Sequence, residues 1–174
     1  MTSQVLVVCT GNICRSPMGE VVLREAFGAA ALPVVVASAG VSAEEQGNPI
    51  DPRARAILER AGYPIHDHRA HRVRPGELAQ YDLVLAMTSH HLHALRRRAD
   101  LDGIDHDRLH MWREFDPTAP HLPHSTLLRD PSRLRDLDIQ DPWYGGHRDF
   151  VETLSALEAG AQGIVTHMRV LLGD

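Results

Sequence analysis

Lysine is absent from this sequence of 174 residues, cysteine occurs only twice, and no long hydrophobic run is present. Two cysteines five positions apart, Cys9 and Cys14, are too few for a disulfide framework, so we expect a reducing compartment. No apolar stretch approaches the roughly 20 residues that a membrane-spanning helix needs. The first residues also lack a basic stretch followed by a long apolar one. These absences predict a cytoplasmic protein with no membrane partner.

The balance of charge excludes a further class of partner. The formal net charge is −5 with histidine neutral, and all eighteen basic residues are arginines scattered along the chain. A chain of this charge is not typical of a nucleic-acid-binding protein. Hydrophobic residues make up 43% of the sequence and charged residues 24%, which are the proportions of a globular protein with a buried core. We therefore expect residues 1–174 to form a single domain.

Short apolar runs alternate with amphipathic segments along the chain. Apolar runs that predict buried parallel strands lie at residues 5–8, 33–37, 82–87 and 107–112. Amphipathic segments that predict helices lie at residues 17–27, 51–61, 88–98 and 149–172. This alternation predicts an α/β fold, with a four-stranded parallel sheet covered by helices on both faces. A ligand would bind beyond the carboxyl ends of the strands.

Two stretches are less regular. Gly160 and Gly163 weaken the pattern of the last helix. Residues 116–140 contain four prolines, many charges and little apolar periodicity, so we expect a proline-rich loop insertion with one short helix near residues 132–137. Loops of this length in compact domains often serve as functional lids.

Residues 9–16 join the first predicted strand to the first predicted helix. Backbone N–H groups in such a loop, together with the helix N-terminus, bind phosphate oxygens. Gly11 and Asn12 are the residue types that most readily adopt the left-handed backbone angles that this cradle requires. Arg15 can form a bidentate pair with two phosphoryl oxygens. The sequence therefore predicts a phosphate-binding loop made of Thr10, Gly11, Asn12, Ile13, Cys14, Arg15 and Ser16.

Cys9 stands at the mouth of this loop. The N–H dipoles and the Arg15 guanidinium would favour its thiolate form, and a thiolate below a bound phosphoryl group is an in-line nucleophile. The Ser16 hydroxyl is positioned to donate a hydrogen bond to that thiolate. The competing interpretation is a buried cysteine that merely ends a strand, but packing alone does not call for Asn-Ile-Cys-Arg-Ser-Pro on a turn.

The loop sequence also carries a family resemblance. The run Val8-Cys9-Thr10-Gly11-Asn12-Ile13-Cys14-Arg15-Ser16-Pro17 resembles the signature of the low-molecular-weight protein tyrosine phosphatases. The resemblance continues at Ser38-Ala39-Gly40 and in the segment of His68, so that it covers most of the chain. It implies that Ser38 and His68 support the loop residue Asn12.

The resemblance further implies a general acid in a downstream Asp-Pro pair that two aromatic residues follow. Asp141, which precedes Pro142, Trp143 and Tyr144, matches this description. Trp143 and Tyr144 would then line the substrate pocket and stack against an aryl phosphate. The rival pairs Asp116-Pro117 and Asp130-Pro131 are not followed by aromatic residues and are interpreted as turns.

The sequence departs from the family in two places. Where the family carries a tryptophan on the pocket rim, Glu44 and Glu45 stand, and Glu44 is expected to line the substrate pocket. Carboxylates beside a phosphate dianion are unfavourable unless the substrate brings a positive charge nearby. After the third strand, the family's Met-Asp-x-x-Asn is replaced by Met87-Thr88-Ser89-His90-His91.

The function that the resemblance implies is hydrolysis of phosphotyrosine on a phosphorylated protein. A phosphocysteine would form on Cys9, with Arg15 binding the phosphoryl group and Asp141 as general acid and base. The chemistry needs no metal or organic cofactor. One alternative is an arsenate reductase, which would need an external thiol because no cysteine follows Cys14. Another is a phosphatase for a basic substrate such as phosphoarginine, and a third is a non-catalytic phosphate-binding module.

Three other features have simpler interpretations. The histidine clusters, His90, His91 and His93 and then His121 and His124, lack neighbouring ligands for a metal and are interpreted as a solvated helix face and a polar loop. Residues 96–98 are three arginines that suit the end of a helix. Cys14 is open to two interpretations, a reversible disulfide with Cys9 or packing under the loop.

Overall fold

The computed structural model describes residues 2–122 and 131–173. Four strands are present in it: β1 (Ser3–Cys9), β2 (Val34–Gly40), β3 (Leu83–Ala86) and β4 (Leu109–Met111). Four α-helices accompany them: α1 (Arg15–Ala29), α2 (Pro52–Arg60), α3 (Ser89–Asp102) and α4 (His147–Leu172). Short 3-10 helices lie at Glu77–Gln80, His106–Arg108, Trp112–Phe115 and Pro131–Leu137. The strands form one parallel sheet in the order β2-β1-β3-β4.

The central strand β1 explains why both faces of the sheet are covered. Its alternate residues point to opposite faces, so Val5 and Val7 enter one hydrophobic cluster and Leu6 and Val8 enter another. Helices α1, α2 and α4 pack on the first face, and α3 packs on the second. The expected α/β fold with helices on both faces is therefore confirmed. The carboxyl ends of the strands meet at one edge, where Cys9 pairs with Gly40.

Helix α1 begins at Arg15, two residues before the expected start at Pro17. Pro17 is tolerated as the third helical residue because the first-turn N–H groups have no intrahelical acceptor. Helix α3 continues to Asp102, where the prediction ended it at residue 98. Residues 96–98 are thus inside the helix and not at its end, so the interpretation of these arginines as partners of the helix dipole is wrong.

Helix α4 is continuous through both of its glycines. The side chain of Trp112 lies so close that a Cβ atom on Gly160 would stand 2.6 Å from its Nε1 atom. A Cβ atom on Gly163 would collide with the backbone carbonyl of Phe115. These glycines, which weakened the helix prediction, are therefore explained by close packing against the turn Trp112–Phe115 and not by a break in the helix.

Only part of the predicted insertion at residues 116–140 is among the described residues, because residues 123–130 are not. The predictions for His124 and Asp130 therefore fall outside the described residues. The short helix expected near residues 132–137 is a 3-10 helix, Pro131–Leu137, that buries Leu134 and Leu137 against α3. None of the helices in the two described ranges has the length and apolar character needed to cross a membrane.

Candidate active site

Cys9 is the last residue of β1, and the next five residues connect it to α1. Its side chain is buried, and its Sγ atom lies 3.0 Å from the hydroxyl oxygen of Ser16 in the first turn of α1. The main-chain N–H groups of residues 11–14 donate no hydrogen bond within the described part of the chain. A loop with several uncommitted N–H donors at a helix N-terminus is suited to bind an anion.

Asn12 is the centre of the hydrogen bonds that hold this loop. It is fully buried and has the left-handed backbone angle φ of 60° expected for it. Gly11, for which the same angle was expected, does not adopt it. Its side-chain amide donates to the hydroxyls of Ser16 and Ser38, both at 2.9 Å. Ser38 in turn donates to Glu20 at 2.5 Å. Because Asn12 fills an acceptor position of Ser16, the Ser16 proton is available for Cys9 Sγ, or for the Ala39 carbonyl oxygen at 3.3 Å.

The two oxygen atoms of Asn12 also have hydrogen-bond donors. The Nε2 atom of His68 donates to the Asn12 carbonyl oxygen at 2.6 Å, and the backbone N–H of His71 donates to its side-chain oxygen at 3.0 Å. The neighbouring residue Ile13 accepts from the backbone N–H of Asp51 at 2.8 Å. The structure thus brings Ser38 and His68 to the two sides of Asn12, while Glu20, His71 and Asp51 are contacts that sequence reasoning missed.

Gly40, the last residue of β2, lies too close to the loop to carry a side chain. A Cβ atom here would lie 2.5 Å from the carbonyl oxygen of Thr10. On the other side of the loop, a Cβ atom on Gly11 would lie 2.9 Å from the side chain of Glu45. The loop is therefore enclosed between two close neighbours, and a substitution at Gly40 would displace its backbone.

Arg15 and Asp141 meet although 126 positions separate them. Arg15 is buried, and its guanidinium donates to the carbonyl oxygen of Ile139 at 3.1 Å and to the carboxylate of Asp141 at 2.8 Å. Its Nε atom is buried without a hydrogen-bond partner among the described residues. A buried guanidinium donor with no protein acceptor is suited to an anionic ligand in the same cavity.

The segment that carries Asp141 is held by contacts that the sequence did not reveal. Arg53 donates to the carbonyl oxygen of Trp143 at 3.1 Å, and its guanidinium lies over the rings of Trp143 and Phe150, 5.3 and 4.7 Å from their centroids. Asp51, the N-terminal cap of α2, orients Arg53 through three hydrogen bonds. Burial raises the pKa of Asp51, but the hydrogen bonds from Arg53 outweigh burial and hold that pKa below its ordinary value.

A cavity of about 300 Å³ opens between the loop and this segment. Its walls are formed by Cys9, Thr10, Gly11, Ile13, Cys14, Arg15, Glu44, Glu45, Asp141, Trp143 and Tyr144. The expected pocket residues Glu44, Trp143 and Tyr144 are therefore together at one cavity. Trp143 is 40% exposed and Tyr144 is 93% exposed, so both form its outer rim.

The prediction that His91 lies on a solvated helix face is wrong, because its ring is buried beneath the loop. Its Nε2 atom lies 2.9 Å from the hydroxyl of Thr10, and its Nδ1 atom lies 3.0 Å from the hydroxyl of Thr88. Burial, with smaller contributions from the charges of Arg15 and His90, lowers the pKa of His91 to about 3. A neutral histidine thus links the phosphate-binding loop to the start of α3.

Cys14 is a free, buried thiol, as is Cys9. Burial raises the pKa of Cys14, and the negative charges of Asp51, Cys9 and Asp141 raise it further. Cys14 therefore remains protonated, and the two cysteines of the loop differ in environment. Both side chains pack in the same hydrophobic cluster, but only Cys9 also lies within hydrogen-bond distance of a serine hydroxyl.

The rival Asp-Pro pair at Asp116 is a turn, as expected. Asp116 is buried, accepts hydrogen bonds from the N–H and hydroxyl of Thr118, and pairs with Arg113. Within residues 2–122 and 131–173, no three histidine, cysteine, aspartate or glutamate side chains are grouped so that they could hold a metal ion.

Comparisons with known proteins agree with this geometry. A low molecular weight protein-tyrosine-phosphatase of Streptomyces coelicolor is 37% identical over 171 residues, which cover 97% of this chain and 95% of the relative. The crystal structure of YfkJ from Bacillus subtilis superimposes with a TM-score of 0.81 at 24% identity, covering 97% of this chain and 96% of YfkJ. Vibrio vulnificus Wzb in complex with benzylphosphonate gives a TM-score of 0.75 at 26% identity, covering 96% of this chain and 99% of Wzb.

The fold and the relatives of this chain define its class of protein, which is a cysteine-dependent phosphatase. A family model described as low molecular weight phosphotyrosine protein phosphatase matches residues 4–170. The chain therefore belongs to the low molecular weight phosphotyrosine protein phosphatase family, and the family resemblance drawn from its loop is confirmed.

Proposed function

We propose that this protein hydrolyses phosphotyrosine in phosphorylated proteins, with Cys9 as the nucleophile. The observation that carries the proposal is the environment of Cys9. Its sulfur lies 3.0 Å from a serine hydroxyl that Asn12 holds in place, and it shares a cavity with Arg15 and Asp141. The name of the Streptomyces coelicolor relative supports phosphotyrosine as the substrate.

The phosphoryl group would bind in the loop that follows Cys9. The uncommitted N–H groups of residues 11–14 and the unpartnered Nε atom of Arg15 are its donors. The phosphoryl dianion would compete with the Asp141 carboxylate for Arg15, because both anions seek the same guanidinium. Binding would therefore release Asp141 towards the leaving group.

In the first step, the Cys9 thiolate attacks phosphorus and the bond from phosphorus to the tyrosine oxygen breaks. Asp141, as the acid, gives its proton to the departing phenolate, so tyrosine leaves as a neutral phenol. The product on the enzyme is a phosphocysteine. Ser16, which lies within hydrogen-bond distance of the sulfur, stabilises the thiolate before attack and again when it departs.

In the second step, water attacks the phosphocysteine. Asp141, now a carboxylate, takes a proton from this water, so the bond from phosphorus to sulfur breaks and inorganic phosphate forms. Cys9 returns to the thiolate, and the balance of the two steps is one water consumed for each phosphate released. Cys14 takes no part, because its raised pKa keeps it a thiol.

The rim of the cavity favours a second candidate substrate. Glu44 and Glu45 line the same cavity as Cys9, where two carboxylates would attract a cationic group beside the phosphate. Phosphoarginine carries such a cation, so phosphoarginine peptides are the second candidate. The aromatic rim residues Trp143 and Tyr144 favour phosphotyrosine, because an aryl ring stacks on them.

The test is steady-state turnover on matched peptides that contain phosphotyrosine, phosphoserine or phosphoarginine, with arsenate plus a thiol as a fourth assay. Each assay includes Cys9→Ser, which should lose at least about 1,000-fold in kcat because its hydroxyl is a much weaker nucleophile. The matched control is Cys14→Ser, a change of the other loop cysteine, which should retain most activity.

Phosphotyrosine turnover that disappears in Cys9→Ser and persists in Cys14→Ser would support the proposal. Turnover of the phosphoarginine peptide alone would favour the second candidate substrate, phosphoarginine, over phosphotyrosine. Arsenate reduction without phosphatase activity, or full activity in Cys9→Ser, would contradict both.

A further inference from the structure

A second cavity lies on the other side of the loop of residues 41–47. Its volume is about 620 Å³, roughly twice that of the cavity at Cys9. We call it the basic cleft, and it is lined by Val41, Gln46, Arg72, Val73, Arg74, Pro75, His90, Ala94, Leu95, Arg97, Arg98 and Leu101. Four arginines and a histidine line it, and none of its lining residues is acidic, although the whole chain has a net charge of −5.

Most arginines of the basic cleft have no ion-pair partner. Within residues 2–122 and 131–173, the guanidinium groups of Arg72, Arg74 and Arg97 form no ion pair. Arg98 lies 3.4 Å from Asp102, but its buried Nε atom makes no hydrogen bond among these residues. Uncompensated guanidinium groups beside apolar surface favour an anionic partner.

Two carboxylates that contact residues of the cleft are already occupied. Asp102 accepts a hydrogen bond from the backbone N–H of Gly76 at 2.9 Å. Glu77 pairs with His71 at 2.8 Å and accepts from the backbone N–H of Arg74. Burial raises the pKa of Glu77, but the hydrogen bonds from His71 and Arg74, together with the charges of both side chains, outweigh burial and hold that pKa below its ordinary value. Neither carboxylate is free to turn into the cleft.

The basic cleft is next to the candidate active site through two connections. The loop after β2 lines both cavities, with Glu44 and Glu45 at the active site and Val41 and Gln46 at the cleft. Helix α3 provides the other connection, because His90 lines the cleft while the adjacent His91 bonds Thr10 of the phosphate-binding loop. A chain that leaves the active site over this loop would enter the cleft.

We propose that the basic cleft binds an acidic segment of the phosphoprotein substrate, a proposal that rests on the proposed phosphatase function. Glutamate or aspartate side chains would pair with Arg72, Arg74 and Arg97, and the apolar residues between them would cover the backbone of the segment. The site would take a run of carboxylates, because its arginines come from two separate segments of the chain, residues 72–74 and helix α3.

The charge on the intervening loop makes the proposal more specific. Glu44 and Glu45 stand between the two cavities and would repel acidic residues directly beside the phosphorylated residue. A favoured substrate would therefore have neutral or basic residues next to the phosphorylated residue and an acidic run further along the chain. The structure assigns opposite charge preferences to two neighbouring parts of one substrate.

The first experiment measures binding without catalysis. A fluorescent, unphosphorylated glutamate-rich peptide is titrated with the full chain, and its anisotropy gives Kd at low and high salt. The double variant Arg72→Gln/Arg97→Gln should weaken binding about tenfold, and salt should weaken binding to the parent protein as well. The control is Arg60→Gln, a change of an exposed arginine at the end of α2 that lines neither cavity.

Equal binding by the double variant and the parent would overturn the proposal. So would tighter, equally arginine-dependent binding of a single-stranded oligonucleotide of the same net charge, because this would indicate a general polyanion site. The anisotropy measurement needs no turnover, so its result stands whether or not the proposed phosphatase function is correct.

The second experiment compares kcat/KM on phosphotyrosine peptides of equal length. One series places a run of four glutamates at increasing distance from the phosphotyrosine on either side, and the reference series carries glutamine instead. A distant run should raise kcat/KM about tenfold in the parent but not in Arg72→Gln/Arg97→Gln, while a small aryl phosphate should be hydrolysed equally by both. No advantage at any spacing, or an equal advantage in the double variant, would overturn the proposal.

Discussion

The two walls of the candidate active site are built differently. The wall that carries Cys9 is buried, and Asn12 within it satisfies its polar side chain and carbonyl through Ser16, Ser38, His68 and His71. The opposite wall, which carries Asp141, is half exposed and ends in an almost fully exposed Tyr144. Two of its hydrogen bonds to distant residues come from the guanidinium groups of Arg15 and Arg53.

The difference follows the chemistry that each wall would perform. A phosphoryl group is the same in every substrate, so donors that bind it gain from being fixed before it arrives. The leaving group differs between substrates, and a proton donor must reach it as the tyrosine enters and departs. We call the side with Cys9 and Asn12 the loop wall and the side with Asp141 the acid wall. We therefore expect the loop wall to control the stability of the fold and the acid wall to control how the rate depends on the substrate.

The largest expected effect in this comparison is that of Asp141→Ala. Without the proton donor, an alkyl-substituted phenol with a high pKa leaves slowly. The value of kcat/KM, which covers only the steps up to release of the phenol, should therefore fall about 100-fold on such substrates and much less on a nitrophenyl phosphate. Kinetics on a series of aryl phosphates provide the measurement. Equal losses across the series would instead assign Asp141 a structural role.

The rival acid serves as the control for Asp141→Ala. Asp116→Ala removes a buried carboxylate that holds a turn, so it should lower the free energy of unfolding without any dependence on the leaving group. A leaving-group dependence for Asp116→Ala would contradict the assignment of the acid wall to Asp141.

The second effect tests the loop wall. Asn12→Gly keeps the left-handed backbone angle at no steric cost but removes the side-chain hydrogen bonds, so it should lower the free energy of unfolding by about 2 kcal/mol. Asn12→Ala should lose about 1 kcal/mol more, because alanine also resists that angle. Urea denaturation measures the free energy of unfolding of both variants. If both were as stable as the parent, the expectation that the loop wall controls stability would be contradicted.

The third effect concerns acid stability at the base of the loop. The folded state keeps His91 neutral to about pH 3, whereas the unfolded chain protonates it near pH 6.5. Between these values the unfolded state binds more protons, so stability falls with falling pH, by about 1.4 kcal/mol for each pH unit from this residue, and is unaffected above pH 7. His91→Gln should reduce this slope in urea unfolding between pH 6 and pH 4.

His66→Gln is the matched control for that slope, because His66 is an exposed histidine. The slopes and not the absolute stabilities are compared, so a general destabilisation by either substitution leaves the test valid. An unchanged slope in His91→Gln would contradict the buried, neutral state of His91.

The smallest effect concerns the tie between α2 and the acid wall. Arg53→Lys keeps the charge opposite Asp51 but loses the bidentate hydrogen bonds and the planar contact with Trp143. We expect about a threefold loss in kcat/KM on a phosphotyrosine peptide, with kcat on a small aryl phosphate nearly unchanged. Arg55→Lys, on the same helix but paired with Glu59, should change neither value.

Much of the fold was predictable because its signals are local. The four apolar runs became the four strands, and Asp51 and Pro52 became the start of α2 as expected. A distant contact explains the local pattern that weakened the prediction of α4, which is nevertheless confirmed. Gly160 and Gly163 weaken a helix in isolation, but they allow Trp112 and Phe115 to pack against α4. The end of α3 was placed too early, at residue 98, although a local signal marks the true end at Asp102, because Gly103 follows it with a left-handed backbone angle.

The candidate site divides in the same way. The loop was predictable as a unit because its donors are consecutive, and Asp141 was found through the aromatic residues that follow it in the family pattern. His91 and Arg53 were not found, because their roles depend on which residues face them. A buried histidine at position 91 and an exposed one at position 90 look alike in the sequence, and only the packing of α3 against the loop separates them.

The sequence by itself determined the loop chemistry, since a cysteine, a glycine, an asparagine and an arginine within seven consecutive residues need only a strand before them and a helix after them. The tertiary structure decided everything that requires two distant segments to meet. The order of the strands brings residues 138–141 to Arg15, sets Arg53 against Trp143, and gathers residues 72–74 and 97–98 around one cleft. The physical reason is that hydrogen bonds and ion pairs act over a few ångströms in space, whatever the number of residues between the partners.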